Sequence, residues 1–177
     1  MNLLLLGARE NPVYDFLKTK GNVRHLSSKA TKSFSTYDWI VSYGYRHILK
    51  KDQIDTCHNP ILNLHISYLP YNRGADPNYW SWVENTPKGV SIHAIDEGID
   101  TGGIYVQKLV HFSGSETLSS SYGKLKNEIE TLFINNFDKI IDGSLVPIPQ
   151  KGDGSIHYVK DFPGVKSWNV KVEDLIK

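Results

Sequence analysis

Asn63-Leu64-His65-Ile66-Ser67-Tyr68-Leu69-Pro70-Tyr71-Asn72-Arg73-Gly74 places polar, titratable residues on a segment that otherwise reads as buried strand. Side chains alternate between the two faces of an extended chain. Asn63 and His65 therefore share one face, continued by Ser67, while Leu62, Leu64 and Ile66 take the other. The apolar face makes residues 60–67 a strand of a covered sheet, and the polar face makes it a candidate site. Further on, Gly89-Val90-Ser91-Ile92-His93-Ala94-Ile95 reads as a second strand. It runs into a glycine-rich loop, residues 96–103, with three acids: Asp96, Glu97 and Asp100.

Towards the amino terminus, residues 3–6 are a continuous apolar run ending at Gly7, which suits a buried parallel strand. Asn11 is placed to cap a helix over residues 12–20, with Pro12 in its first turn and Gly21 as its stop. Short strands are expected at 23–26 and 38–43, with a polar loop at 27–36 between them and a short helix at 51–57 after them. Beyond residue 67 the pattern predicts a loop at 70–77, a helix at 78–84, and a strand at 103–110. One long helix starts at Thr117, its apolar residues from Leu118 to Ile141 following the helical period, and Gly143 ends it. The tail reads as irregular. Strand and helix alternate, so the expected fold is α/β, a mostly parallel Rossmann-like sheet flanked by helices. In such sheets ligands bind at the carboxyl ends of strands, where Gly7, Gly44 and the 63–73 segment fall. Residues 1–150 are expected to form the catalytic domain and residues 151–177 a C-terminal extension packing on it.

Composition narrows the function. The chain has 177 residues, 40% hydrophobic and 22% charged, with a net charge of +1. That charge gives no argument for nucleic acid or membrane as a partner. Cys57 is the single cysteine, so neither an internal disulfide nor a thiolate zinc cage is expected. No run approaches the ~18 apolar residues of a membrane span, and the apolar start is too short for a signal peptide. A cytoplasmic protein is expected.

Asn63, His65 and Asp100 form a chemically coherent set. An imidazole titrates near neutrality, a facing carboxylate fixes its tautomer, and an asparagine amide can donate to a developing oxyanion. Such a set serves acyl transfer to an external nucleophile, since Ser67 lacks a nucleophile elbow and Cys57 has no activating partner. Spacing alone leaves open that His65 is structural and that Asp100-Thr101-Gly102 is an ordinary turn.

Asn63-x-His65-x-Ser67-x-Leu69-Pro70, then Arg73-Gly74-x-x-Pro77, then Gly89-Val-Ser-Ile-His-x-Ile-Asp-x-Gly-Ile-Asp100-Thr-Gly, resembles the formyltransferases that use N10-formyltetrahydrofolate. The resemblance is close over residues 38–110. It implies that Asn63, His65 and Asp100 are the catalytic residues, with no metal. An acceptor amine would attack the formyl carbon, Asn63 and a protonated His65 would stabilise the oxyanion, and Asp100 would orient His65. It also implies that Tyr43, Gly44, Tyr45, Arg46, Ile48 and Leu49 form the loop whose backbone holds the pterin, closed by residues 96–100 with Asp96 and Gly98.

The acceptor implied is an amino sugar, most readily nucleotide-linked. There is no basic surface for tRNA, and only one glycine follows the first strand where a phosphate loop would sit. Tyr68, Tyr71, Asn72, Arg73, Asp76, Tyr79 and Trp80 are the candidate acceptor contacts, with Trp80 and Trp82 also readable as core. Only 37 residues precede the strand at Asp38, so a strand–helix unit of the amino-terminal half is missing relative to longer members. The alternatives are another small amine such as glycinamide ribonucleotide, hydrolysis of the formyl folate, or a degenerate binding protein; a homodimer is also expected.

Overall fold

A computed structural model describes residues 1–175; the last two residues of the expected 151–177 extension lie outside them. Among the described residues eight strands and four α-helices are formed: β1 (Asn2–Gly7), α1 (Pro12–Lys20), β2 (Asn22–Leu26), β3 (Trp39–Tyr43), α2 (Lys51–Ile54), β4 (Leu62–His65), β5 (Arg73–Gly74), α3 (Pro77–Val83), β6 (Gly89–Ala94), β7 (Ile104–Leu109), α4 (Leu118–Ile141) and β8 (Ile156–His157). Six strands make the main sheet in the order β2-β1-β3-β4-β6-β7. The first four are parallel, whereas β6 runs antiparallel to β4, and β7 to β6. The expected mostly parallel sheet flanked by helices is therefore the fold, extended by one antiparallel hairpin.

Alternation along the strands builds two unlike faces. Leu3, Leu5, Val41, Leu62, Leu64, Val90 and Ile92 point to one side, where Leu125, Ile129, Phe133, Phe137 and Ile140 of α4 close the main core. Thr117 caps that helix by accepting from the Ser120 N–H, and Asn11 caps α1 by accepting from the Tyr14 N–H, as N-cap side chains do. On the other side Leu4, Leu6 and Ile40 pack against Ala30, Phe34 and Ile61. The polar residues of β4 and β6 emerge on this second face.

Three expectations change. The helix at 51–57 is only Lys51–Ile54. The loop at 70–77 contains β5, which pairs in parallel with β8. The tail is therefore not irregular: it returns to the site as a strand, then continues to Val172, fully buried beside Leu118. A two-residue strand carries no periodicity, so it exists only because its partner lies alongside it.

Candidate active site

The register of β4 on β6 builds the site. Asn63 faces His93, and His65 faces Ser91, as direct cross-strand partners. The 95–103 loop then folds Asp100 back over this polar face. Asn63 Nδ2 donates to Asp100 Oδ1 at 3.0 Å, and His65 Nδ1 lies 3.6 Å from Asp100 Oδ2. The Gly74 N–H of β5 donates to Asp100 Oδ2 at 2.8 Å. His65, 7% exposed, sends Nε2 to the Asn72 carbonyl at 3.2 Å. Residues far apart in the chain thus converge on one carboxylate. Asp100 holds a left-handed backbone, φ 52, which aspartate tolerates better than most side chains.

Electrostatics follow from this packing. Burial alone would raise the Asp100 carboxyl, but the charge on His65 and the hydrogen bond from the Gly74 N–H hold it well below the usual carboxylate range. Burial pushes the His65 imidazole below its ordinary value, against the pull of Asp100 and the Asn72 carbonyl. A histidine that resists protonation when folded loses stability as pH falls, because the unfolded chain then binds the extra proton. The urea midpoint of unfolding is therefore expected to decline as pH drops through about 6.5, and His65→Gln should flatten that decline. An equal decline in both proteins would show that His65 is not its source. Asp100, depressed instead, contributes stability that is lost only below its unfolded value, about 3.9.

Each expected contact has a definite place. Gly44 takes φ 66 with open space where a Cβ would stand. Among the described residues, the backbone groups of residues 45–49 make no hydrogen bond to other backbone groups. Ile48 is 79% exposed, and Arg46 is exposed as well. This is an edge of free donors and acceptors with an apolar wall, the pairing a planar heterocycle requires. The Tyr43 ring turns away, its hydroxyl donating to Glu130 at 2.8 Å. Tyr45 donates to the Ser28 carbonyl and, like Leu49 and Ile95, packs against the core on the second face of the sheet. Lys51 reaches Glu97 at 3.1 Å, linking this edge to the 96–100 loop. Asp96 shapes that loop by accepting from the Gly98 N–H and the Thr101 hydroxyl.

Of the candidate acceptor contacts, Arg73 lines a cleft of about 450 Å³ with Asp96, Thr101 and Gln150. Tyr71 is 37% exposed, Asp76 is half-buried, and Trp80 stacks on His157 at 4.0 Å. The other side chains make structural contacts, and burial runs against the acceptor roles expected of Asn72 and Tyr79. Asn72 is fully buried, donating to Glu84 and accepting from Thr86, and it offers the site only its carbonyl. Tyr79 packs edge-on to Phe162. Tyr68 covers Gly89. Trp82 is core and donates to Ser121.

Sequence reasoning passed over three participants. His93 is 1% exposed and lies 3.0 Å from Asn63 Nδ2; its alternation with Ile92 in β6 was the available signal. Gln150 donates to the carbonyls of Asp100 and Gly102. Glu84 receives Asn72 and Ser155, and His157 Nε2 lies 3.1 Å from it without hydrogen-bond alignment.

The fold and this convergence define a Rossmann-like α/β protein with an Asn–His–Asp cluster, and comparison with known proteins specifies its family. The formyl transferase family profile matches residues 10–136, and the chain belongs to that family. It is 34% identical over 134 residues to the methionyl-tRNA formyltransferase of Thermodesulfovibrio yellowstonii, covering 73% of this chain and 42% of that protein. It is 28% identical to the dTDP-4-amino-4,6-dideoxyglucose formyltransferase of Mycobacterium bovis, covering 77% and 58%. The chain thus spans about half the length of these curated relatives. Among solved structures it is similar to the formyltransferase PseJ from Anoxybacillus kamchatkensis, in complex with UDP-4,6-dideoxy-4-formamido-L-AltNAc and tetrahydrofolate. The TM-score is 0.91 at 39% identity, over 99% of this chain and 98% of that one. The brief amino-terminal half, β1-α1-β2 ahead of β3, is therefore compatible with a neighbour of nearly equal length. No helix among the described residues is long and apolar enough to cross a membrane.

Proposed function

We propose that this protein transfers the formyl group of N10-formyltetrahydrofolate to the amine of a nucleotide-linked amino sugar, and that it does so in the cytoplasm. The observation that carries this reading is the joint hold of Asn63, His65 and Gly74 on the Asp100 carboxylate, in a chain that parallels a sugar-nucleotide formyltransferase end to end. The folate supplies an activated formyl carbon. Its pterin would rest on the free backbone edge at residues 45–49, against the 96–100 loop. Asp100 orients His65 from the Nδ1 side, and the Nε2–H, shared with the Asn72 carbonyl in the free protein, meets the oxygen that gains charge as the amine adds. A new C–N bond forms to the acceptor and the formyl C–N bond to the folate breaks. His65 and Asp100 relay the proton released by the amine to the departing folate nitrogen, without which that nitrogen leaves poorly.

The test supplies N10-formyltetrahydrofolate and UDP-4-amino-4,6-dideoxy-L-AltNAc, the amine counterpart of the formamido sugar bound in the PseJ complex. A formyl mass gain on the sugar with matched tetrahydrofolate release is expected. Formate without need of amine would make the protein a hydrolase. Folate binding with no turnover on any amine would make it a binding protein, and turnover only with glycinamide ribonucleotide would replace the acceptor. Light scattering tests the proposed homodimer.

A further inference from the structure

Which end of the Asn63 amide faces the reacting groups is settled by a residue with no role assigned so far. His93 Nδ1 lies 2.7 Å from the Ala94 carbonyl. A carbonyl only accepts, so Nδ1 carries the hydrogen, and in a neutral imidazole Nε2 is then bare. Asn63 Nδ2 lies 3.0 Å from that bare nitrogen and 3.0 Å from Asp100 Oδ1. Both partners are acceptors, and they use both amide hydrogens. Rotating the amide would put its oxygen against the carboxylate, and no gain offsets that repulsion. Were His93 an imidazolium, its Nε2–H, 3.4 Å from Asp100 Oδ1, would instead meet the Asn63 amide donor against donor. Asn63 is half-buried, and among the described residues its Oδ1 makes no hydrogen bond and is not sealed from solvent.

A carbonyl oxygen cannot donate to an oxyanion, but it accepts from an amine N–H. We propose that His93 is a positioning residue: together with Asp100 it locks the Asn63 amide so that Oδ1 holds the acceptor amine, leaving the oxyanion to His65. This replaces the donor role expected for Asn63, and it rests on the reading of the site as one of amine formylation. The lock fixes the amine by one accepted hydrogen bond, which keeps its lone pair directed at the formyl carbon.

The first measurement needs no ligand. A two-bond ¹H–¹⁵N spectrum of the free protein should show His93 protonated at Nδ1 and bare at Nε2, with the Asn63 side-chain NH₂ protected from solvent exchange. An Nε2–H tautomer, an imidazolium at neutral pH, or a freely exchanging Asn63 amide overturns the proposal. The second measurement uses His93→Phe, which keeps bulk and removes the acceptor, and His93→Gln, whose Oε1 replaces Nε2. With UDP-4-amino-4,6-dideoxy-L-AltNAc as acceptor, His93→Phe should lower kcat about tenfold to a hundredfold with KM for the folate unchanged, and His93→Gln should recover most of it. Wild-type kcat in His93→Phe, or a folded His93→Gln no better than His93→Phe, also overturns it. If His93→Phe does not fold, or the wild-type protein formylates no amine, the spectrum still decides the amide orientation separately from the reaction.

Discussion

Asp100→Asn is expected to cut formyl transfer by at least about a thousandfold while the sheet stays folded. The carboxylate is 15% exposed in its side chain and is held by three groups: Asn63 Nδ2, the Gly74 N–H and His65. Asparagine keeps the volume and tolerates the left-handed backbone at this position, so the loop need not move. It does replace one acceptor oxygen with a donor. That NH₂ must then face either the Gly74 N–H or the Asn63 amide, and one buried donor goes unmet at a cost of about 1–3 kcal/mol. The ionised carboxyl is favoured in the folded protein, since it is held well below its unfolded value, so losing the charge adds to this cost and stability should fall as well. The loss of transfer should be far larger, because His65 loses the charge that orients it and the partner for its proton. Single-turnover transfer alongside urea unfolding checks both halves. Transfer within tenfold of wild type would mean that Asp100 does not serve the reaction.

The same carboxylate marks how far the sequence could be read. Alternation made the buried face of β4 visible, and with it the pairing of Asn63 and His65 on the other face. The caps at Asn11 and Thr117 and the apolar stripe of α4 were legible because each is set by residues three or four apart. The approach of Asp100 to His65 was not, since no local rule decides how the 95–103 loop folds. There the family motif, not spacing, supplied the expectation. The Asn72 carbonyl and the Gly74 N–H were invisible for a deeper reason: backbone groups have no letter in a sequence. Asn72 and Tyr79 drew acceptor roles because they are polar and aromatic residues beside a site, yet burial in a structural network satisfies them better than a cleft would. The direction of the Asn63 amide depends on the tautomer of His93, which only the Ala94 carbonyl reveals.

Gly74→Ala should show that the tail strand is part of this machinery. Gly74 sits at φ 86, and a Cβ there would collide with the His157 carbonyl. That carbonyl already accepts from the Ala75 N–H at 2.9 Å, and the Arg73 N–H donates to the Ser155 carbonyl at 2.9 Å. The methyl group can be housed only if β8 moves away or β5 rotates, and rotation withdraws the Gly74 N–H from Asp100. Left-handed strain of about 1–3 kcal/mol and two or three weakened hydrogen bonds near 1 kcal/mol each sum to an expected loss of about 3–6 kcal/mol in unfolding free energy. Transfer should fall about a hundredfold, the scale of a misplaced catalytic group. Gly152→Ala is the matched control, because Gly152 has the same φ of 86 with nothing within reach of a Cβ. It bears the backbone strain without the collision. The excess loss in Gly74→Ala over Gly152→Ala therefore isolates the β5–β8 contact, and the accompanying loss of transfer isolates its hold on Asp100. Equal losses in the two variants would mean that the tail strand lies beside the site without supporting it.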